Sequence, residues 1–281
     1  MVNSHAFSQR ITEVSSIKGS RIILALDLTH RTDLRTALKT ISLLERYICA
    51  IKVNFHLILP LSRKELSEVN RLVHSYGLQS VADIKLNDIS STNKIAISHL
   101  LHMGFDAVTV NPFIGAVGLR DVVVQAHRLK GGIIALVYMS HVGAPAGFGI
   151  NFIDSNKQVI SLYQEFFQNA IASGVDGVLI GANRLEILRE ISLKKSGIPI
   201  YSPGLGKQGG SIKHAAKSGT DYFIIGRSII GSKDPVKTAK RLHRQLSPKN
   251  AHRTIAQDAP KRQRKSTKQV ISKACQLSPF R

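Results

Sequence analysis

Residues Val81 to Thr92 read Val-Ala-Asp-Ile-Lys-Leu-Asn-Asp-Ile-Ser-Ser-Thr, placing Asp83, Lys85 and Asp88 close together. Val81, Ala82 and Ile84 suit a buried strand, and Asp83 and Lys85 alternate with them. Beyond Asp88, the residues Ile89, Ile95, Ala96 and Leu100 follow a helical pattern. The spacing puts Asp83 and Lys85 at the carboxyl end of a strand, with Asp88 in the turn or first helical residues. Charges there are costly to bury alone. Acid alternating with base can share protons and hydrogen bonds, so the groups stay ionised together. Taken alone, the pattern fits catalysis and a solvated loop with a salt bridge equally well.

The elements around it decide between these. Arg21–Asp27 is a buried strand ending in a carboxylate, and Thr32 or Asp33 can cap a helix bearing Leu34, Ala37, Leu38 and Ile41 on one face. A second strand, Ile48–Val53, carries Lys52, and Leu66, Val69 and Val73 mark the next helix. The alternation continues with a strand at Ala107–Val110, a helix from Gly115 to His127, and a strand at Gly132–Val137 running into Ser140. A Gly-rich loop, Val142–Gly149, precedes a helix across Val159–Ile171. Strands at Gly177–Ile180, Ile198–Ser202 and Tyr222–Gly226 follow, with a helix over Leu185–Ile191 and a last helix opened by Asp234-Pro235. Eight strand–helix units imply parallel strands and helical crossovers, and their length suits a closed (β/α)₈ TIM barrel of the α/β class. An open doubly wound sheet is the other arrangement, but Asp27-Leu28-Thr29-His30 lacks the glycines expected after its first strand.

In a barrel, functional groups gather at the carboxyl ends of the strands. Asp27, Lys52, Asp83, Lys85, Ser140, Pro203 and Arg227 all fall there. A lone Asp after a strand is more often a helix cap, but the common rim favours a site. Ser202 to Gly210 is Gly-rich, and Gly226-Arg227-Ser228 follows the last strand. Such glycines let backbone N–H groups approach a phosphate, and Arg227 can add a bidentate contact. A phosphorylated small molecule is the expected substrate.

The chain has 281 residues and a formal charge of +21, with 43% hydrophobic residues. Three parts are expected: a weakly ordered lead-in at 1–20 with room for a short helix, a barrel at 21–247, and a basic, disordered tail at 248–281. Residues 246–281 hold nine Lys/Arg and one Asp, hence +8, and the remainder carries +13. A basic surface favours polyanions, and on charge grounds the tail suits weak nucleic-acid binding. No apolar run reaches the ~20 residues needed to cross a bilayer, and no signal peptide or membrane association is expected. Cys49 and Cys275 form no disulfide framework and no metal spacing, which suits a reducing cytoplasm.

The ordered set Leu26-Asp27, Ile51-Lys52-Val53, Asp83-x-Lys85-x-x-Asp88-Ile89-x-x-Thr92, Met139-Ser140-His141, Ser202-Pro203-Gly204, Gln208-Gly209-Gly210 and Gly226-Arg227 resembles the compact orotidine 5′-phosphate decarboxylases. The likeness spans about Arg21 to Leu242. Hexulose-6-phosphate synthases share the Asp-x-Lys-x-x-Asp element but carry a magnesium-directed carboxylate where this chain has Lys52. The resemblance implies decarboxylation of orotidine 5′-phosphate to uridine 5′-phosphate, without cofactor or metal, by a homodimer with shared sites. It implies that Lys85 protonates C6, that Asp83 sits beside the departing carboxylate, and that Lys52 and Asp88 complete a charged network. Asp88, Ile89 and Thr92 would come from the other subunit. Asp27 and Lys52 would hold ribose hydroxyls, Ser140 the pyrimidine, and Pro203, Gln208, Gly209, Gly226 and Arg227 the phosphate end. A magnesium-dependent hexulose-6-phosphate synthase, or a nucleic-acid-binding protein on a retained barrel, are the alternatives. Asn54 departs from the pattern, standing where many relatives would carry glycine.

Overall fold

A computed structural model describes residues 6–28, 33–154, 157–195, 197–206 and 209–247. In chain order the helices and strands are α1 (Phe7–Lys18), β1 (Ile22–Ala25), α2 (Leu34–Leu44), β2 (Ala50–Asn54), α3 (Phe55–Ile58), α4 (Arg63–Ser75), β3 (Gln79–Leu86), α5 (Ser90–His102), β4 (Ala107–Val110), α6 (Gly115–Arg128) and β5 (Gly132–Tyr138). There follow α7 (Pro145–Phe148), β6 (Asn151–Ile153), β7 (Val159–Ser161), α8 (Leu162–Ser173), β8 (Gly177–Ile180), α9 (Leu185–Lys194), β9 (Ile200–Ser202), α10 (Ile212–Lys217), β10 (Tyr222–Ile225), α11 (Arg227–Ile230) and α12 (Pro235–Leu246).

Eight of the strands close a parallel barrel in the order β1-β10-β9-β8-β5-β4-β3-β2. The two-residue period of each strand divides its side chains between two cores. Ile23 and Ala25 of β1, Val81 of β3, and Ile134 and Leu136 of β5 fill the barrel. Their neighbours Ile22, Leu24, Ala82, Ile133 and Ala135 face the surrounding helices. Cys49 lies inside the barrel with its thiol on the Ile22 carbonyl at 3.3 Å, and burial pushes that thiol up to about 12. Among the described residues, no helix is long and apolar enough to cross a membrane.

The caps follow the sequence. Asp33 accepts from the Thr36 amide at 2.8 Å to start α2, and Asp234 accepts from Lys237 at 2.8 Å to start α12. The Thr32 alternative and the tail beyond Ser247 lie outside the described residues.

The lead-in, where the sequence left room for a short helix, forms α1, whose Phe7 and Ile11 are fully buried in the barrel's inner core. Gly132, at the amino end of β5, makes room for it, since a Cβ there would stand 2.6 Å from Phe7. The helix expected from Val159 begins at Leu162. Val159–Ser161 instead pairs antiparallel with Asn151–Ile153, with Phe152 opposite Ile160. β-branched Val159 and Ile160 favour that extended form, and the Gln164 side chain accepts from the Ser161 amide at 3.0 Å to open the helix. On α5 the buried face is Asn93, Ile97 and Leu100, leaving Ile89 at 69% and Ile95 at 60% exposure. Asn93 sets that face by donating to the Asp88 carbonyl at 2.5 Å.

Candidate active site

The carboxyl ends of the barrel strands surround a cavity of about 230 Å³. Parallel register builds its floor. Lys52 stands opposite Val81 and Asn54 opposite Asp83, so Lys52 and Asn54 of β2 and Asp83 and Lys85 of β3 all turn inward.

Asp83 is buried and accepts three hydrogen bonds. Lys52 Nζ donates to Oδ2 at 2.5 Å, while Lys85 Nζ at 2.7 Å and Thr109 Oγ at 2.9 Å donate to Oδ1. Burial alone would raise the Asp83 carboxyl. The two ammonium groups outweigh that cost and hold it well below the ordinary carboxylate range. Asp83 therefore stays ionised, and it fixes both lysines. Lys85 has φ +47°, a left-handed backbone conformation uncommon outside glycine, where β3 shifts register against β4. The Thr109 hydroxyl accepts from the Lys85 amide at 2.9 Å and secures that turn. The Lys85 side chain keeps 31% exposure and opens onto the cavity, whereas that of Lys52 keeps only 5%.

At the β1 end, Asp27 Oδ1 accepts from Asn54 Nδ2 at 2.7 Å, and Lys52 Nζ donates to Asn54 Oδ1. Gly226 gives Asp27 its space, because a Cβ there would lie 2.5 Å from Oδ2. Across the cavity, Ser140 and His141 follow β5. Their carbonyls accept from Asn183 Nδ2 and Arg184 Nη2, each at 2.8 Å. Pro203, Gly204, Gly226 and Arg227 line the remaining wall. That loop is tied by Gly210 N to Gly204 O at 3.1 Å and by Ser228 Oγ to Leu205 O at 3.3 Å.

The structure thus brings together Asp27, Lys52, Asp83, Lys85, Ser140, Pro203, Gly226 and Arg227. Asp88, Ile89 and Thr92 are exposed and do not line this cavity, and neither does Gly209. Gln208 lies outside the described residues. Asn54 and Thr109 were missed as site residues. Asn54 was legible in one respect: it lies two residues beyond Lys52 on the same strand, hence on the same face. Among the described residues, no group of three or more His, Cys, Asp or Glu could hold a metal ion. Chemically, the arrangement offers a fixed ammonium beside a fixed carboxylate at one side, and glycines with an arginine at another.

The chain is similar to known proteins over most of its length. Residues 20–242 match the family model described as "Orotidine 5′-phosphate decarboxylase / HUMPS family". The orotidine 5′-phosphate decarboxylase of Thermococcus kodakarensis is 37% identical over 232 residues, covering 82% of this chain and 98% of that protein. The crystal structure of the Pyrococcus horikoshii decarboxylase is similar at a TM-score of 0.66 and 34% identity, over 80% of this chain and 98% of that one. That of the Methanocaldococcus jannaschii decarboxylase, complexed with the inhibitor BMP, is similar at a TM-score of 0.70 and 28% identity, over 81% and 98%.

Proposed function

The chain belongs to the orotidine 5′-phosphate decarboxylase / HUMPS family, and from that premise we propose that it converts orotidine 5′-phosphate to uridine 5′-phosphate and carbon dioxide, with Lys85 as the proton donor. The observation that carries this reading is the Lys52–Asp83–Lys85 chain of charge-assisted bonds opening onto the cavity. The substrate's carboxylate is placed beside Asp83. As the bond from C6 to the carboxyl carbon breaks, its electron pair remains on C6, in the plane of the ring. The Lys85 ammonium stabilises that charge and then transfers its proton to C6, becoming a neutral amine. Enzymes lower barriers by roughly 8–23 kcal/mol, and one preorganised donor supplies about 3–4. Several groups must therefore act together. Asp27 and Lys52 hold ribose hydroxyls, Ser140 the pyrimidine, and Pro203, Gly226 and Arg227 the phosphate, with Gln208 and Gly209 on the same loop. Phosphate binding remote from C6 helps to exclude water from the reacting end.

No cofactor or metal enters this scheme, and the protein is read as acting in the cytoplasm. Lys52 stands where the hexulose-phosphate enzymes use a metal-directed carboxylate, so the decarboxylase is the better reading. The direct test is purified protein with orotidine 5′-phosphate in EDTA, followed by pyrimidine absorbance. Turnover unaffected by the chelator is expected. Turnover only on hexulose phosphate, lost in EDTA and restored by magnesium, would contradict it.

Two copies are proposed to form the working unit, with Asp88, Ile89 and Thr92 reaching into the partner's cavity. Supporting this, the segments after three adjacent strands expose large apolar side chains: Phe55 and Leu59 after β2, Ile89 and Ile95 after β3, and Phe113 and Val117 after β4. The tail at 248–281 is proposed to be dispensable for catalysis, its charge giving weak, salt-sensitive contact with nucleic-acid phosphates.

A further inference from the structure

We propose that Asn54 is a sugar-binding residue of this chain, whose carboxamide donates to a ribose hydroxyl and helps select ribose over deoxyribose. The inference rests on the reading above, in which Asp27 and Lys52 hold the ribose. Asn54 is the inward-facing residue of β2 one step above Lys52, and it lines the cavity. Its amide is oriented by its neighbours. The carbonyl oxygen accepts from the Lys52 ammonium, and one N–H donates to Asp27 Oδ1 at 2.7 Å. The reversed amide would set an N–H against an ammonium and an oxygen against a carboxylate, so the charges settle which end points where. A carboxamide has two N–H donors. The second has no protein partner among the described residues, and it belongs to a group half-buried between the two sugar-holding side chains. A sugar hydroxyl brought to Asp27 and Lys52 therefore meets a third polar group already held in place. No rotamer freedom remains to be lost when that bond forms. Sites built to bond a hydroxyl discriminate against analogues that lack it, because their own polar groups are then left unpaired. A glycine at this position could supply no such contact.

The test compares kcat/KM of the unaltered chain, Asn54→Gly and Asn54→Ala on orotidine 5′-phosphate and on its 2′-deoxy and 3′-deoxy analogues. Any analogue turned over too slowly is measured as a competitive inhibitor. Both substitutions are expected to lower kcat/KM for the ribosyl substrate about tenfold, mainly through KM, as for loss of one hydrogen bond. On the analogue that lacks the contacted hydroxyl the loss should be less than about twofold, so that the preference for ribose narrows. Folded variants, checked by circular dichroism, that lose activity equally on all three compounds would overturn the proposal. Asn54 would then only hold Asp27 and Lys52 apart. An unaltered chain that turns over none of the three would instead remove the decarboxylase reading itself.

Discussion

Of the three bonds that Asp83 accepts, the one from Thr109 carries no charge, yet Thr109 also holds the Lys85 amide. One hydroxyl thus serves both the carboxylate and the left-handed turn that aims the proton donor. Thr109→Val keeps the shape and removes both bonds, leaving buried polar groups short of partners. Such a loss costs about 1–3 kcal/mol. We expect a lower melting temperature and a kcat reduced about 10–100-fold, with KM changed less. Steady-state kinetics beside thermal unfolding would check this, and unchanged kcat in a folded variant would contradict the positioning role. At this scale the charged residues were legible in the sequence. Lys52, Asp83 and Lys85 stand out because charge at the end of an apolar strand is costly unless it is used or paired. Thr109 and Asn54 were not, since a neutral polar side chain in a strand costs little and can serve many structural ends. The departure at Asn54 was visible, but its bonds to Asp27 and Lys52 depend on strand register.

The strands are anchored at their amino ends by a recurring device. Asp106, just before β4, accepts from the Ser80 amide at 2.8 Å and pairs with His74 at 2.9 Å. Asp176, just before β8, accepts from the Ile133 amide at 2.9 Å and pairs with His127 at 2.9 Å. Hydrogen bonding to these aspartates raises both imidazoles above their usual 6.5. A folded value above the unfolded one means that the charged pairs stabilise fully below about pH 6.5. That stability is lost as pH rises through the folded values. Both rings are over 40% exposed, so solvent screening keeps the effect small. Melting temperature should fall between pH 6 and 8, and the fall should be shallower in a His74→Gln/His127→Gln double variant. An equal slope in both proteins would contradict the linkage. Strand positions at Ala107–Val110 and Gly177–Ile180 agree with the sequence reading because compact apolar runs are bounded by turn residues. The packing of the first helix was less legible than the helix itself. Only Phe7, Ile11 and Ser15 are buried along it, and its polar outer face reads like a lead-in until the open barrel floor beneath is known.

For the whole molecule, the barrel explains why residues far apart in sequence share one rim, and why Asp88 does not join them. Asp88 accepts from its own neighbour's amide, Ile89, at 2.7 Å and is exposed. If it completes a partner's site, Lys85→Ala and Asp88→Ala proteins, each nearly inactive, should recover activity when their subunits exchange. A heterodimer would carry one site with both lesions and one with neither, giving about a quarter of the unaltered activity for a statistical mixture. Verified heterodimers that stay inactive would place Asp88 in its own subunit's chemistry. The barrel topology was legible because strand–helix alternation leaves few arrangements. Periodicity marked a helix through Ile89, Ile95, Ala96 and Leu100 but did not tell which of these side chains face outward. Ile89 and Ile95 are exposed because Asn93, Ile97 and Leu100 occupy the inner face of α5.

The central claim is that Lys85 delivers the proton as carbon dioxide leaves. Its most direct measurement uses carboxyl-labelled orotidine 5′-phosphate in EDTA, with label release and uridine 5′-phosphate followed together for the unaltered chain and Lys85→Ala. The account predicts equal release of both products by the unaltered chain. The folded variant should be slower by about a thousandfold or more, within the range that a positioned acid contributes. Its Asp83 carboxyl should also rise, having lost one of its two ammonium partners. A folded Lys85→Ala protein that releases both products within tenfold of the unaltered rate would contradict it.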